Sequence, residues 1–336
     1  MSFALRLIQF GDPREPFVAR VVDHETVEVL DVSGGVYALA QAVLASGKNF
    51  GEYADAVPAR ERASYAQLVR ERALLPPVTH PDPAHCRVSG TGLTHLGSAS
   101  SRNAMHVDTG AREPLTDSMR MFRMGVEGGR PSPGGVGAQP EWFYKGDGSV
   151  LVAPEQDLPV PPFATDAGEE PEIAGVYLVA PDGSPVRLGF ALGNECSDHA
   201  TEKVNYLWLA HSKLRACSFG PELLVGELPE NVSGLSRIVR DGQVVWEKPF
   251  VTGEANMSHT IANLEHHHFK YEQFRRPGDL HVHYFGTSTL SVADGFVVED
   301  GDRFEIEAGG LGRPLRNGVR FEHASRPDAA VVVRAL

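Results

Sequence analysis

The chain has 336 residues, enough for one large domain or two modest ones at about 150 residues each. Apolar residues make up 42% and charged residues 22%, which supports a sizeable core and excludes a disordered segment. Asp and Glu number 44 against 31 Lys and Arg, so the formal net charge of −13 repels phosphate backbones and anionic lipid. Nucleic acid and membrane are therefore set aside as partners. No run of about 18 apolar residues occurs, and MSFALRLIQFGDP lacks the basic region, apolar stretch and cleavage site of a secretory signal. Cys86, Cys196 and Cys217 are odd in number and widely spaced, which argues for reduced thiols in a cytoplasm. With 35 Gly and 24 Pro, the chain reads as β-rich with helices around it.

In chain order, FVARVVDHETVEVLDV alternates well enough for a hairpin turning at Asp23–Glu25. Tyr37–Lys48 has helical spacing and is followed by a turn at Gly51. Pro58 suits the start of a second helix, ARERASYAQLVRERALL, whose stripe of Ala63, Leu68, Leu74 and Leu75 reads as packing. PPVTHPDP breaks regular structure, so residues 1–75 are assigned to a small mixed α/β domain and 76–336 to a larger one. Next, TDSMRMFRMGVEGG predicts a helix opened by a Thr or Asp cap, and GRPSPGGVGAQP a long loop. Its GGVG lacks the Lys-Ser/Thr and the preceding strand of a phosphate cradle.

SVLVAP, EIAGVYLVA and VRLGFALGN read as strands, the last two joined by a hairpin turn at Pro181-Asp182-Gly183. SRIVRDGQVVWEKP is a second hairpin, NMSHTIANLEHHHFKYEQF a helix and AVVVRAL a final strand. The larger domain is thus mostly β, and the fold class is α+β.

The most informative element is Glu170-Pro171-Glu172, which leads into the apolar strand IAGVYLVA. Alternate residues of a strand share a face, so these carboxylates can aim at one point. They repel there unless a cation sits between them or one is protonated. Taken alone, the pair is equally compatible with a solvent-facing strand start. The returning strand ends at Glu195, and an antiparallel hairpin brings that end back to Glu170 and Glu172. Three carboxylates at one hairpin end make a reasonable site for a hard cation such as Mg²⁺, Mn²⁺ or Ca²⁺.

The run from Trp142 to Asn317, a little over half the chain, resembles the fumarylacetoacetate hydrolase superfamily. The matching pieces, in order, are FYKGDGSVLVAP, the E-x-E of EPEIAGVYLV, GFALGNECSDH, KLRACSFGPELL, FGT at 285–287 and EDGDRFEIEAGGLGRPLRN. The resemblance implies a mixed β-roll of that family's C-terminal type, and Mg²⁺ held by Glu170, Glu172 and Glu195. One departure is that the family's third ligand is usually Asp in a GND motif, where this chain has Glu195 in GNE.

Residues 90–106, GTGLTHLGSASSRNAMH, resemble the first active-site segment in its sugar-acid dehydratase form. Ser101 and Arg102 would then bind a substrate carboxylate, for which a guanidinium fork is suited. The histidine that serves hydrolase members as general base has no counterpart here. Lys145 in WFYKG and Lys213 in HSKLRACSFGP match the family's two lysines, and Thr287 its substrate-carboxylate contact. A lysine near three carboxylates would be held charged and orient substrate or balance charge; with a lowered pKa it would serve as a base.

A rival site starts from His281 and His283, which share a strand face and could form a Zn²⁺ pair or contact substrate, but no third convergent ligand can be named. Structural roles are expected for both, and His266, His267 and His268 should spread around their helix. Cys217 has no partnered base and reads as a buried small residue.

The resemblance implies a Mg²⁺-dependent dehydratase (a lyase) of a 2-keto-3-deoxy sugar acid, such as 2-keto-3-deoxypentonate giving 2-oxoglutarate semialdehyde. It also implies a homodimer or dimer of dimers. The alternative is a C–C hydrolase of acylpyruvates or 2,4-diketo-3-deoxy sugar acids that releases pyruvate. A third reading is a catalytically silent keto-acid sensor.

Overall fold

The computed structural model describes residues 5–98, 116–322 and 330–336. Before residue 76 lie β1 (Arg6–Asp12), β2 (Glu15–Val21), β3 (Thr26–Leu30), β4 (Ala59–Ser64) and β5 (Leu74–Leu75). There follow β6 (Cys86–Gly92), β7 (Glu141–Asp147), β8 (Leu151–Val152), β9 (Asp157–Val160), β10 (Pro171–Val179) and β11 (Pro185–Asn194). The last are β12 (Cys217–Phe219), β13 (Leu223–Leu224), β14 (Val232–Arg240), β15 (Gln243–Thr252), β16 (Leu280–Tyr284), β17 (Arg303–Ala308) and β18 (Leu315–Phe321). One sheet runs β4-β3-β2-β1-β13-β11-β10-β16-β6-β7, and a second runs β15-β14-β17-β18-β9. Parallel pairs (β16 with β6, β12 with β8, β18 with β9) occur among antiparallel ones, so the fold is α+β with mixed sheets.

The spine is the β10–β11 hairpin. Every residue of β10 is buried, as its unbroken apolar run requires of a strand covered on both faces. The turn closes as anticipated: Gly183 takes a left-handed φ of 84° and donates to Ala180 O at 2.9 Å. The sheet curls into a roll because β8, just after β7, pairs with β12, and β12 pairs with β11. Tyr284 of β16 crosses the interior of this roll to donate to Ser218 O of β12 at 2.9 Å. Gly193 makes room for that ring, since a Cβ there would lie 2.6 Å from Tyr284 Cε1. Outside the roll, the helix Ile261–Phe269 packs on Ile173, Tyr177 and Phe285, capped by the Thr260 side chain.

Three expectations change. Residues 59–64 are not the start of a helix but the edge strand β4, paired with β3 and tied to it by Arg62–Glu28 at 3.0 Å. Edge pairing there outweighs helix propensity. The helix starts at Tyr65, where the Ser64 side chain accepts from Gln67 N at 3.2 Å. A short helix at Phe50–Ala56, capped by Asn49, stands where only a turn was read. Finally, AVVVRAL is not a strand: residues 330–336 pair with no sheet, and Val331, Val332 and Val333 are exposed. The division at residue 76 separates β1–β5 from the later strands, while the sheet runs on across it from β1 to β13. No helix among the described residues is long and apolar enough to cross a membrane.

Candidate metal centre

The hairpin register sets the site. Pro171 pairs with Asn194 and Glu172 with Gly193, and Glu195 N donates to Glu170 O at 3.1 Å. Glu170, Glu172 and Glu195 therefore meet at one end of the β10–β11 pair, all three buried. One carboxylate oxygen from each lies within 4.8 Å of the others, the one such group of three found among the described residues. Glu172 Oε2 accepts from Gly286 N at 2.7 Å, while Glu172 Oε1 is buried with no hydrogen-bond partner. A buried, unpartnered carboxylate oxygen beside two more carboxylates is the environment a hard cation fits, so these residues suit Mg²⁺, Mn²⁺ or Ca²⁺.

Two lysines balance the charge. Lys145, fully buried, donates to Glu195 Oε1, to Glu195 O at 2.8 Å and to Cys196 O at 2.9 Å, which uses all three of its protons. Lys213 donates to Glu170 Oε1, to Glu195 Oε2 at 2.6 Å and to Ser197 Oγ at 3.0 Å, and lies 4.7 Å from the centre of the Phe143 ring. Burial alone would push the Lys213 ammonium toward neutrality, but Glu170 and Glu195 reverse this and hold it charged.

The carboxylates divide. Burial would raise Glu170, yet the Lys213 charge and the His199 hydrogen bond hold it well below the usual carboxylate range. Glu172 is pushed well above it, first by burial and then by the charges of Glu195 and Glu170. Glu195 is raised by burial and by Glu170 against the pull of both lysines. A cation among them would relieve this repulsion.

Thr287 follows Gly286, the residue that holds Glu172; its Oγ1 donates to Thr289 O at 3.2 Å. Ser101 and Arg102 lie outside the described residues. Sequence reasoning passed over His199, Asp166, Asp198 and Glu169. His199 Nε2 lies 3.0 Å from Glu170 Oε1, and Nδ1 lies 3.7 Å from Asp166 Oδ2. Burial opposes its charge, but the Asp166 and Glu170 carboxylates raise the imidazole to about 10. Asp198 caps the helix His199–Val204, accepting from Thr201 N at 3.0 Å. Glu169, pushed up to about 7 by burial, accepts from Ser291 N at 2.9 Å and Ser291 Oγ at 2.6 Å. The signal was present: Asp198-His199-Ala200-Thr201 directly after Glu195 reads as a helix start, which places a histidine beside the hairpin end.

The rival histidines are core residues, and the three helix histidines do spread, with His266 exposed and His267 Nε2 at 3.0 Å from Gly137 O. What the sequence did not name is the third histidine beside the pair, His268: its Nε2 lies 2.9 Å from His281 Nδ1, and Trp142 Nε1 donates to its Nδ1 at 3.2 Å. His283 Nδ1 pairs with Ser89 Oγ at 2.8 Å. Burial lowers all three, keeping them neutral. Cys217 is likewise buried, its thiol pushed up to about 11 by desolvation.

No family model matches the sequence, and no curated protein is significantly similar to it. Among solved structures, the apo form of 2-keto-3-deoxy-D-arabinonate dehydratase superposes with a TM-score of 0.68 at 20% identity, over 95% of this chain and 100% of that one. The same dehydratase complexed with magnesium and 2,5-dioxopentanoate gives 0.68 at 19%, with the same coverage. The 5-carboxymethyl-2-hydroxymuconate delta-isomerase from Mycobacterium smegmatis gives 0.56 at 17%, over 94% of this chain and 100% of that one. The fold is thus the one these solved enzymes share, and of the two enzymes the 2-keto-3-deoxy-D-arabinonate dehydratase superposes better.

Proposed function

We propose that the protein is a divalent-metal-dependent dehydratase of a 2-keto-3-deoxy sugar acid such as 2-keto-3-deoxypentonate, which would leave as 2-oxoglutarate semialdehyde. The observation that carries this reading is the buried trio Glu170, Glu172 and Glu195, with one unpartnered oxygen, at the hairpin end. The shared fold adds support, because a dehydratase that has it is complexed with magnesium and 2,5-dioxopentanoate. In this reading residues 76–336 form the catalytic part, and the molecule is a homodimer or dimer of dimers.

Glu170, Glu172 and Glu195 would hold Mg²⁺, with Mn²⁺ or Ca²⁺ able to take the same place. A cation bound there supplies Lewis-acid stabilisation of the negative charge that develops on a 2-keto acid when C3 loses a proton. Lys145 holds Glu195 from behind through its side chain and backbone carbonyl. Lys213 bridges Glu170 and Glu195, keeping their separation fixed and their charge balanced. Gly286 N–H orients Glu172, and Thr287 beside it is proposed to contact the substrate carboxylate with Ser101 and Arg102. Loss of the C4 hydroxyl as water would give the 3,4-unsaturated keto acid, and isomerisation of its allylic alcohol (a C5 proton lost, C3 protonated, and the resulting C4–C5 enol tautomerised) would give the semialdehyde.

The deciding experiment incubates the purified protein and Mg²⁺ separately with a 2-keto-3-deoxypentonate and with an acylpyruvate. A semialdehyde product that disappears with chelator supports the proposal. Pyruvate release instead overturns it in favour of C–C hydrolysis, and keto-acid binding without turnover in favour of a sensor. Arg102→Ala is expected to raise KM for the sugar acid by about 10- to 100-fold, the cost of roughly 1.5–3 kcal/mol for a hydrogen bond to a charged group. An unaltered KM in steady-state assays removes Arg102 from the site.

A further inference from the structure

We infer that His199 is a positioning residue for Glu170, fixing the orientation in which its carboxylate is offered to a cation; this rests on the metal-site reading above. The argument begins with how Glu170 is held. Its Oε1 takes two donors, His199 Nε2 at 3.0 Å and Lys213 Nζ. No described residue donates to Oε2. With Oε1 doubly engaged, Oε2 is the oxygen left to coordinate, and carboxylate rotation about the side-chain bond would break the His199 bond.

The surroundings of His199 are built to keep the ring in that pose. It opens a helix whose cap, Asp198, is stitched to the neighbouring loop: Thr165 N donates at 3.1 Å, Thr165 Oγ1 at 2.9 Å and Arg215 Nη2 at 2.8 Å. A backbone bridge locks the same loop beside it, Gly168 N to Ser197 O at 2.9 Å and Ser197 N to Gly168 O at 3.0 Å. Gly168 has no Cβ, and one placed there would lie 2.2 Å from His199 Nδ1. Behind the ring, Asp166 Oδ2 faces Nδ1 at 3.7 Å, and neither atom has a hydrogen-bond partner. A histidine present only to fill space would not sit between two acids; a buried imidazole oriented by one carboxylate toward another is the arrangement that steers metal ligands from behind.

The test titrates MnCl₂ alone into the full chain by calorimetry, for the wild type and for His199→Leu, His199→Gln and Gly168→Ala. The leucine variant is expected to bind Mn²⁺ about 10- to 100-fold more weakly, the usual cost of losing a residue that orients a ligand. The glutamine, whose amide N–H can reach the same oxygen, should recover most of that loss. Gly168→Ala should weaken binding although His199 is still present, and it decides the matter if the leucine variant does not fold. Unchanged Mn²⁺ affinity in the leucine and alanine variants, or a glutamine variant as weak as the leucine one, overturns the positioning role alone. A wild type that binds no Mn²⁺ fails the metal reading itself, so the two failures are distinct.

Discussion

Glu172→Gln is expected to abolish metal-dependent turnover and leave the fold intact. The amide has the shape of the carboxylate, and its oxygen can keep the 2.7 Å bond from Gly286 N. What is lost is the charge on Oε1, the buried atom with no hydrogen-bond partner among the described residues. Lewis-acid stabilisation of a developing charge is worth several kcal/mol. At 1.36 kcal/mol per tenfold, losing about 4 kcal/mol lowers kcat/KM about a thousandfold. Stability should move little or upward in metal-free protein, because burial and the charges of Glu195 and Glu170 already disfavour an ionised Glu172. Steady-state kinetics at saturating Mg²⁺, with thermal melts in chelator, check both halves. Turnover equal to wild type would remove Glu172 from the site.

The parts of this fold that were legible are those whose causes are local. The Pro181-Asp182-Gly183 turn, the apolar run of β10 and the Thr116 cap each carry their reason within a few residues, and each is observed. Residues 59–64 were misread because the arginines of that segment suit a helix as well as an edge strand. What selects the strand is pairing with β3, which is more than 25 residues away in sequence, and no local pattern encodes it. The Ser64-Gln67 capping pair was the local sign that the helix begins later.

The site divides in the same way. Glu170, Glu172 and Glu195 were placed together from one hairpin, because a tight turn fixes which strand ends are neighbours. The lysines were named only through the family resemblance. Lys145 lies on β7, three strands from β10 along the sheet, and reaches Glu195 because pairing of β8 with β12 closes the roll. SVLVAP was read as a strand and holds β8, but its partner β12 has three residues, too few to leave a periodic signal. His268 shows a further limit: helical spacing alone cannot say which of three consecutive histidines turns inward to meet β16.

Lys145→Met should be the most destabilising single change at the site. The side chain is fully buried, and methionine matches its length without its charge. Its removal takes the lysine donor from Glu195 Oε1 and from the Glu195 and Cys196 carbonyls, leaving, among the described residues, only Ser197 Oγ to serve the first two, at 3.3 and 3.1 Å. Breaking a buried ion pair from one side costs about 3–5 kcal/mol, and here Glu195 would keep only Lys213 at 2.6 Å of its two lysine partners. At roughly 2–4 °C per kcal/mol, Tm should fall by about 6–20 °C in metal-free protein. Mg²⁺ should narrow the gap by returning positive charge to Glu195. A calorimetric melt showing no loss in chelator would mean that Glu195 is already neutral and that Lys145 only fills space. The double variant Lys145→Met/Glu195→Gln separates the contributions. If the charge left on Glu195 dominates, the double variant is more stable than Lys145→Met; if the two carbonyls dominate, adding Glu195→Gln recovers nothing.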